Sequence, residues 1–175
     1  MQTGRPGARA YLVGLAAAVI AMIAVPASAQ DDDGLSLERA NRIVNEALAH
    51  ARDRGFRPLT VVVLDAAGDL KAMQREDGAS MFRVDVATGK AWAAVGMGTS
   101  SRFLAERARD NPNFFITLAA TADGRFLPQP GGVLILDANG NVLGAAGASG
   151  AAGTEDEEAV AYGIRAAGLQ TDLDE

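Results

Sequence analysis

The sequence has no cysteine and a single histidine, His50. Disulfides, thiolate chemistry and covalent haem attachment through a CxxCH motif are therefore excluded. A zinc or copper centre built from several histidines is excluded as well. Clusters of basic residues are also missing. Against 22 acids the chain has 16 lysines and arginines, a formal charge of −6. Such a surface is poorly suited to nucleic acid or to an anionic membrane.

What is present begins with a targeting pattern. Arg5 and Arg9 precede an apolar run from Leu12 to Val25, followed by Pro26 and the small residues Ala27-Ser28-Ala29. Residues 1–29 thus read as a secretory signal peptide, cleaved between Ala29 and Gln30. The apolar run is shorter than a membrane span requires. No cysteine follows it to carry a lipid, and the two arginines are not adjacent as a twin-arginine signal needs. The expectation is export to the periplasm or the extracellular space, with no stable membrane anchor after cleavage. Loss of Arg5 and Arg9 leaves 14 basic residues against 22 acids, a formal charge of −8. Residues 30–34 form an acidic leader, residues 35–170 one domain and residues 171–175 an acidic tail.

Ser36 is a good N-cap, and Leu37, Ala40, Ile43, Val44, Ala47, Leu48 and Ala51 recur at helical spacing up to Gly55. His50 falls at the edge of that stripe, where it is either a half-exposed surface side chain or a ligand. Two stretches then resemble each other: VVVLDAAGDL from Val61 and VLILDANGNV from Val133. Each is an apolar strand, a turn with Asp first and Gly fourth, and a second strand, the pattern of a β-hairpin. Strands are expected at 60–64, 70–75, 132–136 and 142–146, and FFITLA at 114–119 reads as a fifth.

Between the hairpins, Met81, Val84, Thr88, Ala91 and Val95 line one face of a helix, and Phe82, Val86 and Ala93 line the other. A helix apolar on two sides is buried or shared with a second subunit. Gly89 in its middle suggests a close backbone or ligand approach. A short helix begins near Thr99. Hairpin-linked strands with grouped helices make the fold class α+β with an antiparallel sheet of about five strands.

GASGAAGTEDEEAV, residues 147–160, sets glycines before four acids. A phosphate loop would need a lysine and free amides there, and acids already fill the positive end of the helix. Thr154 and Glu157 have the spacing of a capping box. Asp156 and Glu157 lean toward the apolar face, where they are also a candidate cation site. Gly144, Gly147, Gly150 and Gly153 allow either a tight turn or a close ligand.

In order along the chain, LSLERANRIVNEAL, VVVLDAAGDLKAMQREDGA, DVATGKAWAAVGMGTS, Gly131-Gly132 and GNVLGAAGASGAAGTEDEEAVAYGIRAAGL form a set. That set resembles the GlcG/HbpS-like proteins, a haem-degrading domain family once listed as a domain of unknown function. The resemblance implies a profilin-like sandwich, a homo-oligomer, and haem or iron as cofactor. Relatives associated with a sensor kinase or with glycolate oxidation imply either a haem or redox sensing role or a small organic acid as ligand. Carried over, the ligand-binding positions are Arg75, Asp77, Lys90, Thr99, Gly131 and Gly132, with Gly78, Asp85, Glu155 and Glu157 beside them. The usual GGxP is here Gly131-Gly132-Val133-Leu134, without its proline, and RPT is here Met97-Gly98-Thr99.

Haem iron needs an axial ligand. His50 is the leading candidate, with Thr99, Met73, Met81, Met97, Tyr162, Lys71 and Lys90 behind it. Propionates would seek Arg75, Arg83 or Lys90. Whether the protein turns its ligand over is left open by these residues.

Overall fold

A computed structural model of the protein describes residues 1–2 and 34–173, and every element lies in the unit Asp32–Glu175. Residues 3–29 of the expected signal peptide and residues 30–33 of the acidic leader lie outside the described residues. Helix α1 runs Leu37–Asp53, and the Ser36 hydroxyl caps it by accepting from Arg39 N at 3.2 Å. Its buried stripe is Ala40, Ile43, Val44, Ala47, Leu48 and Ala51.

Both hairpins form. Strands β1 (Thr60–Asp65) and β2 (Leu70–Arg75) are the first, and β3 (Gly132–Leu136) and β4 (Val142–Ser149) the second. The turn chemistry is the same in each. Asp65 Oδ1 accepts from Ala67 N and Asp69 N, both at 3.0 Å. Asp137 Oδ1 accepts from Asn139 N and Asn141 N, both at 2.8 Å. Gly68 and Gly140 supply positive φ angles of 84° and 82°, which a side chain would resist. The strands join as one antiparallel sheet in the order β2-β1-β4-β3.

The sheet has four strands, not five. Residues 114–119 lie within helix α4 (Pro112–Thr121). Proline at the first helical turn is preorganised for a helix, and Phe115 buries against Leu104 and Phe126. A short apolar run is compatible with either element until such packing decides.

Helices α1 and α5 (Gly153–Ala166) cover one face of the sheet. Ile43, Val44, Val61, Val63, Val133, Ile135, Val160 and Ile164 form the main core there. On the other face α2 (Arg83–Met97) sets Ala87, Ala91 and Ala94 against Val62, Leu64, Leu134 and Ala145. Outside α2, helices α3 (Ser101–Asp110) and α4 enclose Ala93, Leu104, Phe115, Ala122 and Phe126. So α2 is buried on two sides within this chain. Met81 and Phe82 precede the helix and are exposed, at 76% and 65%. Gly89 meets the backbone of Arg125 and Leu127, a chain approach.

The glycines of the second hairpin set the depth of α2. A Cβ on Gly147 would collide with the Ala87 carbonyl, and one on Gly132 with that of Lys90. Backbone lies directly on backbone at both crossings, and this brings Lys90 down to the sheet. Among the described residues no helix is long and apolar enough to cross a membrane.

Candidate functional site

The residues singled out in the sequence come together in four separate places. The first is a buried knot. Lys90 Nζ donates to Asp156 Oδ2 at 2.8 Å and to the Ala148 carbonyl at 3.0 Å. Both side chains are almost wholly enclosed, and Gly131 and Gly132 pack against this lysine. Charges this deep persist only when paired. Lys90 therefore ties α2 to β4 and to the start of α5.

That start differs from the expected capping box. Helix α5 opens at Gly153 with Ala152 as its N-cap. The Glu155 carboxylate accepts from Ala152 N at 2.9 Å, and Asp156 Oδ1 accepts from Ala151 N at 3.0 Å. The helix starts two residues earlier than Thr154 would place it, so Glu155 takes the position expected of Glu157. Glu157 turns inward and receives Arg102 Nε at 2.9 and 3.0 Å. This hydrogen bond is the main reason that the Arg102 pKa is raised. Asp156 and Glu157 thus each face a cation supplied by the chain itself.

The second place is an open cleft of about 520 Å³ between the end of α1 and β2. Leu48, Phe56 and Pro58 give it an apolar wall, and Arg52, Arg75, Glu76 and Asp77 a polar rim. Arg52 Nη1 pairs with Glu76 Oε1 at 2.8 Å, while Arg75 Nη1 donates only to the Ala79 carbonyl, at 2.8 Å.

The third place is the turn before α3. Ser100 N donates to Asp172 Oδ2 at 2.6 Å, the Ser100 hydroxyl donates to Asp172 Oδ1, and Thr99 Oγ1 lies 3.5 Å from Oδ2. Asp172 belongs to the acidic tail and holds Ser100, the residue that precedes α3, from a distance of 72 residues in sequence. Thr99 also lines a groove of about 480 Å³ with Phe103, Leu134, Leu136 and Val142.

The fourth place holds His50. Its ring stacks on Tyr162 with centroids 4.1 Å apart, and Nε2 sits 3.0 Å from Glu158 Oε1. Phe56 stands edge-on at 6.5 Å, and Arg54 Nε also reaches Glu158, at 3.0 Å. A carboxylate on one ring nitrogen orients a ligating histidine and leaves the other nitrogen to the metal. His50 has that arrangement. Among the described residues no three His, Asp or Glu side chains gather as a metal site, so any iron held here would rely on a porphyrin for its other ligands.

Residues 35–165 match the haem-degrading HbpS-like protein family. The chain belongs to that family. Three solved structures resemble this HbpS-like protein. HbpS is 28% identical, with 75% of this chain and 89% of that chain covered and a TM-score of 0.66. The complex of PduOC with haem is 24% identical, covering 79% and 98%, at a TM-score of 0.71. The ORFY protein of Klebsiella pneumoniae is 22% identical, covering 77% and 90%, at 0.69. The last two are too distant in sequence to support more than the α/β fold with its antiparallel sheet. No functionally curated sequence matches significantly. Membership in a haem-degrading family, with an HbpS structure among the neighbours, supports haem binding or degradation by this HbpS-like protein.

Arg102, Glu158, Asp172 and Ser149 make contacts that the sequence did not single out. Their partners lie 55 residues away or more for Arg102, Glu158, Asp172 and Ser149, and no local pattern marks them.

Proposed function

We propose that this is an exported haem-binding protein that degrades haem slowly, with His50 as the iron ligand. Family membership over residues 35–165 carries the reading, and the His50–Glu158 pair supports the choice of ligand. Glu158 would hold the proton on Nε2 and present the Nδ1 lone pair. Phe56 and Tyr162 give the ring apolar neighbours, and Arg75 and Arg83 are available to propionates. Bound haem supplies the oxygen chemistry, and the chain supplies orientation and shielding. A second protomer across the His50 face would complete that shielding, and a sensor partner could read the loaded state.

The test is aerobic incubation of the chain from Gln30 with hemin and ascorbate. Soret absorbance should decay as iron appears on a ferrous chelator, at a rate that follows the bound fraction. Decay no faster than a denatured-protein control would overturn the degrading activity. Export is checked by N-terminal sequencing of secreted protein, with Gln30 expected first.

A small organic acid such as glycolate is the second reading. It is favoured by Arg75 and Arg83, for which no carboxylate partner occurs among the described residues. Thermal stabilisation by glycolate without any haem spectrum would support it.

A further inference from the structure

At the end of the sheet nearest the start of α2, three strands align polar side chains in one row. Thr60 on β1 is the register partner of both Arg75 on β2 and Ser149 on β4. Register partners point to the same face. That face is the α2 side, because Thr60 alternates with Val62 and Leu64, which pack on α2. Arg83, the first residue of α2, reaches the row by donating from Nη1 to Ser149 Oγ at 3.2 Å.

Three observations on this row leave room for a ligand. The Thr60 hydroxyl is completely buried and has no hydrogen-bond partner, although buried polar groups are nearly always paired. Arg83, half-buried at the start of α2, donates only to the neutral Ser149 hydroxyl, and Arg75, exposed at the end of β2, only to the Ala79 carbonyl. The N-terminus of α2 has no side-chain cap, since its N-cap is Phe82, and the one acid of its first turn, Asp85, is exposed. Free amides at a helix start favour an anion.

We propose that Arg75, Thr60, Ser149 and Arg83 form a carboxylate-binding site at the N-terminus of α2. Adjacent strands lie ~4.8 Å apart, so the α-carbons of Arg75 and Ser149 are about 10 Å apart. Two guanidinium arms can close over one carboxylate across that span. The Thr60 hydroxyl then donates the hydrogen bond that it lacks, and the arginines exchange neutral acceptors for a charged one, the stronger arrangement. The carboxylate comes from a free small acid or from a haem propionate. The site rests on the two readings above, which give Arg75 and Arg83 to a propionate or to a small acid, but it does not depend on His50 as the iron ligand.

Two titrations of the chain from Gln30 separate these sources. Calorimetry with glycolate probes the free acid, and Soret titration with hemin against hemin dimethyl ester probes the propionates. Saturable glycolate binding, weakened about tenfold by Arg83→Gln and by Thr60→Val, establishes the site for a free acid. An approximately tenfold preference for hemin over its diester, lost in the same variants, establishes it for a propionate. Thr60→Val removes only an unpaired hydroxyl, so its melting temperature should not fall and weaker binding cannot be attributed to misfolding. The proposal is overturned if glycolate does not bind at millimolar concentration and hemin and diester bind alike. It is equally overturned if Arg83→Gln and Thr60→Val leave both glycolate binding and any preference for hemin over its diester unchanged. Equal binding of hemin and diester would leave haem binding itself intact.

Discussion

Lys90 and Asp156, 66 residues apart in sequence, meet with Nζ and Oδ2 2.8 Å apart in a part of the molecule closed to water. The pair connects the helix on one face of the sheet to the helix on the other. Lys90→Met leaves the Asp156 charge unpaired and should cost about 3–5 kcal/mol. Adding Asp156→Leu should recover much of that loss, because the orphaned charge is gone. Urea unfolding of the parent, the single and the double variant checks it. A loss below 1 kcal/mol in the single variant would contradict the account.

Gly147→Ala tests how tightly α2 lies on β4. The new methyl would meet the Ala87 carbonyl and the Ala91 methyl, and backbone has to move. Overpacking of this kind costs about 1–3 kcal/mol. A melting temperature unchanged from the parent would show that α2 rides higher than described.

The tail's Asp172 holds Ser100, the residue that opens α3. Asp172→Ala should cost about 1–3 kcal/mol, as for lost hydrogen bonds to a charged group, and should speed amide exchange at Ser100. Unchanged exchange there would mean that the tail is not held in solution.

Asp137 predicts a pH effect with a definite sign. Hydrogen bonds from Asn141, side chain first and then backbone, hold its pKa below the ordinary carboxylate value. A depressed folded pKa stabilises the hairpin above the unfolded value of ~3.9. That contribution is lost as pH falls through the lower folded value. Carboxyl NMR should place the Asp137 midpoint below 3.9, with the Asn139 and Asn141 amides exchanging faster on the acid side. A midpoint at or above 3.9 would contradict the turn geometry.

The hairpins, the Ser36 cap and the buried stripe of α1 were legible because each is written within ten or so residues. Residues 114–119 were misread as a strand because a six-residue apolar run has no decisive period; Asn111-Pro112 was the overlooked start signal. The shift at α5 has a similar origin. Thr154 looks like a cap, but the chain turns at Ala152, where Glu155 does the capping without help from an N-cap side chain. The candidate site was the least legible part. Arg75, Lys90, Thr99 and His50 can each be singled out in the sequence, yet they occupy four places. Only long-range packing shows that Lys90 is already engaged by Asp156 and Thr99 faces Asp172.

The central claim is that haem binds through His50. Hemin is titrated into the chain from Gln30 and into its His50→Ala variant, both followed in the Soret band. The account predicts a saturable shift in the parent that is lost in the variant, with both proteins folded by circular dichroism. A spectrum identical to free hemin in the parent would contradict haem binding, and a shift that survives in His50→Ala would contradict the assigned ligand.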